Sequence, residues 1–202
     1  LSSAGLPQGT STAEKIGDQQ ADYLLGFTNT LNYKNFSLSF LIDGRFGGDM
    51  FSGTNRLLQG NGVAACTVVN GERKPFVVEG VLADGNGGYT QNTVEVTPEQ
   101  YWSAIASSSG NLGIGEANLY SATNVRLRNL SLNYTFPKAM LKNTPFQQVK
   151  LGVSCNNVWM IYSDMNGVDP ESVFATSTNA TGFENAASPT SRSFLFNVTL
   201  GF

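Results

Sequence analysis

"SRSFLFNVTLGF", residues 191–202, is the stretch on which the fold turns. Phe194, Phe196, Val198, Leu200 and Phe202 fall on every second position, and Ser193, Leu195, Asn197, Thr199 and Gly201 fill the gaps. Side chains of a β-strand point alternately to opposite faces, so this alternation predicts a strand with one apolar face. It does not say what covers each face. A half-buried strand of a soluble sandwich reads this way, and so does a membrane strand with lipid on one side and a wet lumen on the other.

Composition separates the two. Charged residues make up 13% of the 202 residues, against about 25% in ordinary soluble domains. The hydrophobic fraction is only 41%, so the shortfall is filled by Asn, Ser, Thr, Gln and 22 Gly. Such a mixture suits strands whose polar face meets water without charge. A net charge of −3, with no basic patch, gives no reason to expect nucleic acid. No window approaches 18 consecutive apolar residues, which excludes a membrane helix. The opening "LSSAGLPQGTSTAEKIG" lacks the basic start and apolar core of a signal peptide, so the chain is expected to be cytosolic, mature or partial. Histidine is absent, which removes the commonest metal ligand and general base. With no catalytic constellation elsewhere, the sequence predicts no enzyme, no cofactor and no metal. Cys66 and Cys155 are expected to be two unpaired thiols.

Five segments read as strands: residues 24–33, 36–46, 125–136, 149–162 and 193–202. In the first, Leu25, Phe27, Leu31 and Tyr33 share a face; in the second, Phe36, Leu38, Phe40 and Ile42 do so opposite Ser37, Ser39, Asp43 and Arg45. Only Lys34 and Asn35 separate these two, which predicts a tight hairpin. In the third, Leu130, Leu132, Tyr134 and Phe136 oppose Asn129, Ser131, Asn133 and Thr135. The fourth alternates through Val149, Leu151, Val153 and Cys155, then loses phase at Asn156–Asn157, where a bulge is expected. Connections alternate between short ones and long ones at 47–124 and 163–190. An up-and-down membrane barrel does this, with short periplasmic turns and long extracellular loops. Aromatics gather at both strand ends: Tyr33, Phe36, Tyr134, Phe136 and Phe202 at one, Phe46, Trp159 and Tyr162 at the other. The prediction is therefore an all-β chain, about five antiparallel strands of a transmembrane β-barrel, incomplete on its own because membrane barrels begin at about eight strands.

Several stretches then resemble one family. "KIGDQQADYLLGFTNTLNYKNFSLSFLIDGRFGGDMFSGTN" (15–55), "LYSATNVRLRNLSLNYTFPKAMLK" (119–142), "NNVWMIYSDMNGVDPES" (156–172) and "SPTSRSFLFNVTLGF" (188–202) are similar, in order, to the late barrel region of SusC/RagA-type TonB-dependent transporters. The loop at 60–118 matches only in length. Asp18-Gln19-Gln20-Ala21 stands where the family has Asn-Pro-x-Pro, and Asn157-Val158 where it has Asn-Leu. The resemblance implies the C-terminal part of a plugged barrel of about 22 strands, residing in a Bacteroidetes-type outer membrane. It implies import of an oligosaccharide or peptide, a SusD-like surface lipoprotein as lid, and energy from TonB through an N-terminal part that precedes Leu1. It also makes the terminal aromatic Phe202 an assembly signal. The alternatives are a soluble all-β carbohydrate-binding module, separated by detergent dependence, and a passive porin, separated by whether a plug is encoded upstream.

Four side chains are candidate lumen-facing residues: Asp43, Arg45, Asn129 and Asn133. Asp43 and Arg45, two apart on one strand, are expected in a mutual or cross-strand ion pair. Asp169-Pro170-Glu171 reads as a proline-fixed turn, with calcium binding as the other reading. Sequons at Asn35, Asn129, Asn133, Asn179 and Asn197 reflect polar alternation on a wet face more than glycosylation. "TPEQYW" (97–102) predicts a helix start, with Thr97 as cap, Pro98 first and Gln100 reaching back. Tyr101 and Trp102 there are expected to pack within the loop, or to meet a sugar or a partner protein.

Overall fold

The computed structural model describes residues 1–107, 113–165, 167–174 and 176–202. Residues 108–112 and 175, within the two long connections, and Asn166 of the 156–172 stretch lie outside the described residues. In chain order the elements begin with β1 (Tyr23–Tyr33), β2 (Phe36–Phe46), β3 (Asp49–Ser52) and helix α1 (Gly53–Gly60). There follow β4 (Phe76–Val77), β5 (Val81–Ala83), β6 (Tyr89–Gln91), β7 (Glu95–Val96), helix α2 (Pro98–Ser107) and β8 (Leu119–Ser121). The chain then runs through β9 (Asn124–Thr135), helix α3 (Lys138–Leu141), β10 (Gln148–Ser163), β11 (Phe183–Glu184) and β12 (Ser193–Gly201). These elements form two compact units, one from residues 20–48, 121–172 and 188–202, the other from residues 1–19, 49–120 and 173–187.

The first unit is one antiparallel sheet in the order β1-β2-β9-β10-β12. Its register carries the alternation of each strand into continuous rows. Leu31, Leu38, Leu132, Val153 and Phe196 stand side by side across all five strands, as do Tyr33, Phe36, Tyr134, Leu151 and Val198. On the opposite face Asn32, Ser37, Asn133, Gly152 and Asn197 form a row of small, uncharged groups. The apolar rows are uncovered: Leu31 is 56% exposed and Phe196 81%. Aromatic rings gather at one end of the strands, with Phe36 4.7 Å from Tyr134 and Phe146 5.2 Å from Phe202. At the other end Tyr23 stacks on Phe46 at 4.9 Å. Among the described residues no strand pairs with the outer edge of β1 or β12, so the sheet is an open sector of an all-β barrel wall.

The sheet keeps its faces only because β9 slips. Arg126 and Arg128 have the same parity as Leu130, Leu132 and Tyr134, so strict alternation would turn both arginines to the apolar side. The β2–β9 register instead jumps from Leu41↔Asn129 to Ile42↔Leu127, leaving Arg128 as the extra residue of a bulge. From there Arg126 stands opposite Asp43, on the polar face. On β10 the register shifts between Asn156 and Trp159, where the loss of phase is expected. Asn157 takes a left-handed φ of 51° there, a conformation that Asn tolerates better than most residues.

The second unit supplies order that the sequence reading of 47–124 lacked. Helix α1 is short and polar (GTNRLLQG), with only Leu57 and Leu58 to mark periodicity. Its start is fixed by Ser52, whose side chain accepts from Asn55 N at 3.1 Å. Helix α2 begins as expected: Thr97 N donates to Gln100 Oε1 at 2.9 Å, and Gln100 N to Thr97 Oγ1 at 3.2 Å. The helices approach closely at Gly60, where an added Cβ would come within 2.8 Å of Ala106 Cβ. Arg56 Nη1 donates to Ala106 O at 2.7 Å, satisfying a carbonyl at the α2 terminus.

A buried carboxylate ties this unit together. Glu184, 1% exposed, lies on β11, which pairs in parallel with β3. Ser52 Oγ donates to its Oε2 at 2.9 Å, Thr54 Oγ1 donates to Oε1, and Thr54 N and Ala187 N approach at 3.4 Å each. No cation is among these partners; hydroxyls, amides and the positive end of α1 carry the charge. Removing the carboxylate leaves the Ser52 and Thr54 hydroxyls and two amides without acceptors, a loss of about 2 kcal/mol. Glu184→Ala is therefore expected to raise amide exchange at Thr54 and Asn55 by about thirtyfold, with the β1–β2 ladder unchanged, as read by hydrogen–deuterium exchange.

Candidate functional site

The polar face of the five-stranded sheet brings the candidate residues onto one side. Ser39 and Ser131 share a hydrogen bond of 2.6 Å across β2–β9. Asn129 Nδ2 donates to Asn156 Oδ1 at 2.7 Å, and Asn156 Nδ2 donates to Ser193 Oγ at 3.3 Å. Asn133 faces Gly152, and a Cβ at 152 would collide with Asn133 Oδ1, so glycine makes room for the amide. These neutral groups satisfy one another across strands, which holds the face in place without charge.

Charge concentrates where β9 bulges. Arg128 directs Nη2 to Asp43 Oδ2 at 2.6 Å, and its Nη1 to Glu171 Oε2 at 2.8 Å. Arg126, 4% exposed, is held by Asn124 Oδ1 at 3.2 Å, by Thr190 Oγ1 at 3.1 Å and by the carboxylate of Asp169. Asp169 also accepts from Glu171 N at 3.0 Å and Thr190 N at 2.9 Å. The Asp169-Pro170-Glu171 stretch is a turn, closed by Ser172 N donating to Asp169 O at 2.9 Å, and Pro170 is fully buried. Its two carboxylates are engaged by guanidinium groups, in keeping with the proline-turn reading.

Of the four candidates, Asp43 and Arg45 lie on the polar face of β2, and Asn129 and Asn133 on that of β9. Asp43 pairs across strands with Arg128, and Arg45 stands in register with Asn124. The sequence reading did not single out Arg126, Arg128, Asp169 or Glu171 as one cluster. A signal was present: two arginines two residues apart, in a strand otherwise free of charge, require acidic partners if both are to leave water. Beside the cluster a cleft of about 430 Å³ is lined by Arg126, Asn157, Trp159, Asp169, Thr190 and Arg192. Cys66 and Cys155 are free thiols, and Cys155 stands beside Leu130 and Phe194 in the apolar rows.

Burial would raise the Asp169 carboxyl, but the Arg126 guanidinium, the Thr190 hydroxyl and two backbone amides outweigh it and hold the group well below the usual carboxylate range. The Arg128 hydrogen bond lowers the Glu171 carboxyl against the opposing effect of burial. Both folded-state values lie below those of an unfolded chain. The linked stability is therefore complete above the ordinary carboxylate range and is lost only as pH falls through the depressed values. Protection of the Glu171 and Thr190 amides is expected to be flat from neutral pH to about pH 5 and to fall in stronger acid. Asp169→Asn should abolish that acid-dependent fall, with both amides exchanging faster at every pH.

No family model matches the chain. A TonB-dependent receptor (P3) of Formosa agariphila is 28% identical over 200 residues, covering 95% of this chain and 18% of the relative. A second receptor of that organism (P39) is 27% identical over 158 residues, 77% of this chain and 14% of the relative. The chain thus spans less than a fifth of the curated relatives it matches. Among solved structures, the RagAB peptide importer in its open-open state aligns over 89% of this chain and 17% of its own, with a TM-score of 0.51 at 13% identity. The RagAB peptide transporter aligns over 88% of this chain and 17% of its own, with a TM-score of 0.52 at 15% identity. At such identities these structures speak for the fold alone. Sequence likeness to two TonB-dependent receptors and a fold shared with the RagAB structures together support the resemblance of this chain to a portion of a SusC/RagA-type TonB-dependent transporter.

Proposed function

We propose that the chain forms part of the outer-membrane barrel of a transporter that imports a large nutrient, an oligosaccharide or a peptide. The observation that carries this reading is the two-faced sheet: continuous apolar rows left bare on one side, and on the other a polar face of mutually hydrogen-bonded neutral groups with charge gathered at the β9 bulge. Lipid is the medium that covers such an apolar face without a second protein layer, and a water-filled lumen suits the polar one. A soluble binding module would have to bury the same rows against a second sheet. Asp43, Arg45, Asn129 and Asn133 then face the lumen. The connections 47–124 and 163–190 lie outside the cell, where a SusD-like lipoprotein closes the mouth, and TonB acts through another part of the protein. The chain performs no chemistry and needs no cofactor; its contribution is wall and loop.

The assignment of sides is tested on the full-length transporter carrying Cys66→Ser. A cysteine placed at Asn86 should react with an impermeant maleimide on intact cells, and one at Lys142 only after the outer membrane is broken. The reverse pattern overturns the topology. Deleting Phe202, whose ring is 77% exposed beside Phe146, should lower the amount of transporter assembled without changing uptake per assembled molecule. Phe202→Tyr should be nearly neutral, and an unchanged assembled amount after deletion removes the terminal aromatic from the assembly signal.

A further inference from the structure

Charge on the five-stranded sheet is sorted by end. The unit that holds the sheet carries its lysines, Lys34, Lys138, Lys142 and Lys150, at the end of the strands where the connections are short. Asp22, Asp43, Asp164, Asp169 and Glu171, with every arginine of the unit, lie in the half toward the long connections. There the two signs meet in ion pairs, as between Arg128 and Asp43. At the lysine end no acidic side chain is present, and the one anion is the main-chain carboxylate of Phe202. Among the described residues no ion pair engages any of the four lysines.

Lys34 is turned to the apolar side. It sits in the β1–β2 turn, and its ammonium lies 5.3 Å from the centre of the Tyr33 ring, which ends an apolar row. The lysine stem thus follows the apolar surface while its charge stays at the rim. Thr135 N donates to Asn35 O at 2.9 Å, which ties this turn to the end of β9, just before helix α3. Lys138 and Lys142, both exposed, stand there one helical turn apart and so share a side. The strand ends they adjoin carry rings: Phe36 is 4.7 Å from Tyr134, and Tyr134 is 5.0 Å from Phe136. Lys150 stands apart from the three, in register with Thr135 and Thr199 on the polar face.

We infer that the short-turn end of this wall is a binding surface for anionic phospholipid. Lys34, Lys138 and Lys142 hold the headgroup phosphate, and the acyl chains lie along the apolar rows. The strand length fits: the eleven residues of β1 extend about 37 Å, and at a tilt of about 40° they rise about 28 Å. That rise brings Tyr33 and Tyr23 to opposite interfaces of a hydrocarbon layer about 30 Å thick. Lysines without acidic side-chain neighbours attract a lipid of net negative charge over a zwitterionic one. Free phosphate would meet the lysines but make no use of the rings or the apolar rows, whereas a phospholipid uses all three. The inference rests on the barrel reading and adds to it a choice of lipid.

The test uses the full-length transporter in nanodiscs of phosphatidylethanolamine with about one phosphatidylglycerol in five. Tyr33→p-benzoylphenylalanine places a photocrosslinker beside Lys34. Tyr23→p-benzoylphenylalanine places the same group on the same face at the other end of β1, next to Asp22. Mass spectrometry of the adducts reads the share of phosphatidylglycerol at each position. Adducts at position 33 should be enriched about threefold or more over the bulk share, and those at position 23 should match it. Lys34→Gln, Lys138→Gln and Lys142→Gln combined should remove the enrichment, and the three corresponding Lys→Arg changes should keep it. Inorganic phosphate should leave it intact, compared with sodium chloride of equal ionic strength. Enrichment that survives the triple Gln variant, or that inorganic phosphate alone erases, overturns the surface. Lipid adducts of bulk composition at both positions refute the lipid choice and leave the barrel reading standing. Absence of lipid adducts at both positions, in assembled protein, refutes the barrel reading itself.

Discussion

A strand has two sides and no third choice. Every structural feature of the first unit follows from keeping five strands in agreement about which side is apolar. β1 and β2 manage it by unbroken pairing from Tyr23↔Phe46 to Tyr33↔Phe36. β9 cannot, because it must carry arginines at 126 and 128 and apolar residues at 130, 132 and 134, all of one parity. The bulge at Arg128 resolves the conflict with one residue of slack, and β10 answers with irregularities of its own between Asn156 and Trp159 and between Met160 and Tyr162. A one-residue slip that would be ruinous along a whole strand is here confined to one level of the sheet. At that level the charged cluster assembles: the bulged Arg128 reaches Asp43 on one neighbour and Glu171 on the turn beyond β10.

Each unit contains a buried carboxylate, handled in opposite ways. Asp169 is neutralised by a guanidinium, with Thr190 and backbone amides filling the remaining lone pairs. Glu184 has hydroxyls and amides at the head of α1 instead. The first arrangement couples two charges, so that losing either strands the other in a poorly solvated place. The second places one charge in a shell of dipoles that cannot titrate. Both pin segments far apart in sequence: Asp169 holds Arg126 and Thr190, and Glu184 holds Ser52 and Thr54.

Much of the wall was legible because period two is a strong signal over eleven residues. The rows through Leu31, Leu38 and Leu132 are those the alternation predicts, and the irregularity at Asn157 was visible as a loss of phase. Less legible was anything in which two segments answer each other. Asp169-Pro170-Glu171 could be recognised as a turn, but its partners lie 43 residues away on β9, and pairing at that distance leaves no periodic trace. Helix α1 hid for a related reason: eight residues with two apolar side chains are held by a cap and by Ala106, not by amphipathic pattern. The capping box at Thr97 was found because its signal is local and chemical, a hydroxyl and an amide three residues apart.

The neutral ladder of Ser39, Ser131, Asn129 and Asn156 would have a kinetic meaning in the proposed transporter wall. A surface studded with charges would hold some solutes tightly and turn others away, and its behaviour would drift with every change in the ionic strength outside the cell. Hydroxyls and amides differ from water by only about 1 kcal/mol per exchanged bond. On the proposed reading, in which this face lines the lumen, a solute passing over them would trade one shallow well for the next and slide along the wall without lodging in it. The dearth of charge that first distinguished this sequence is, in that sense, a lubricant.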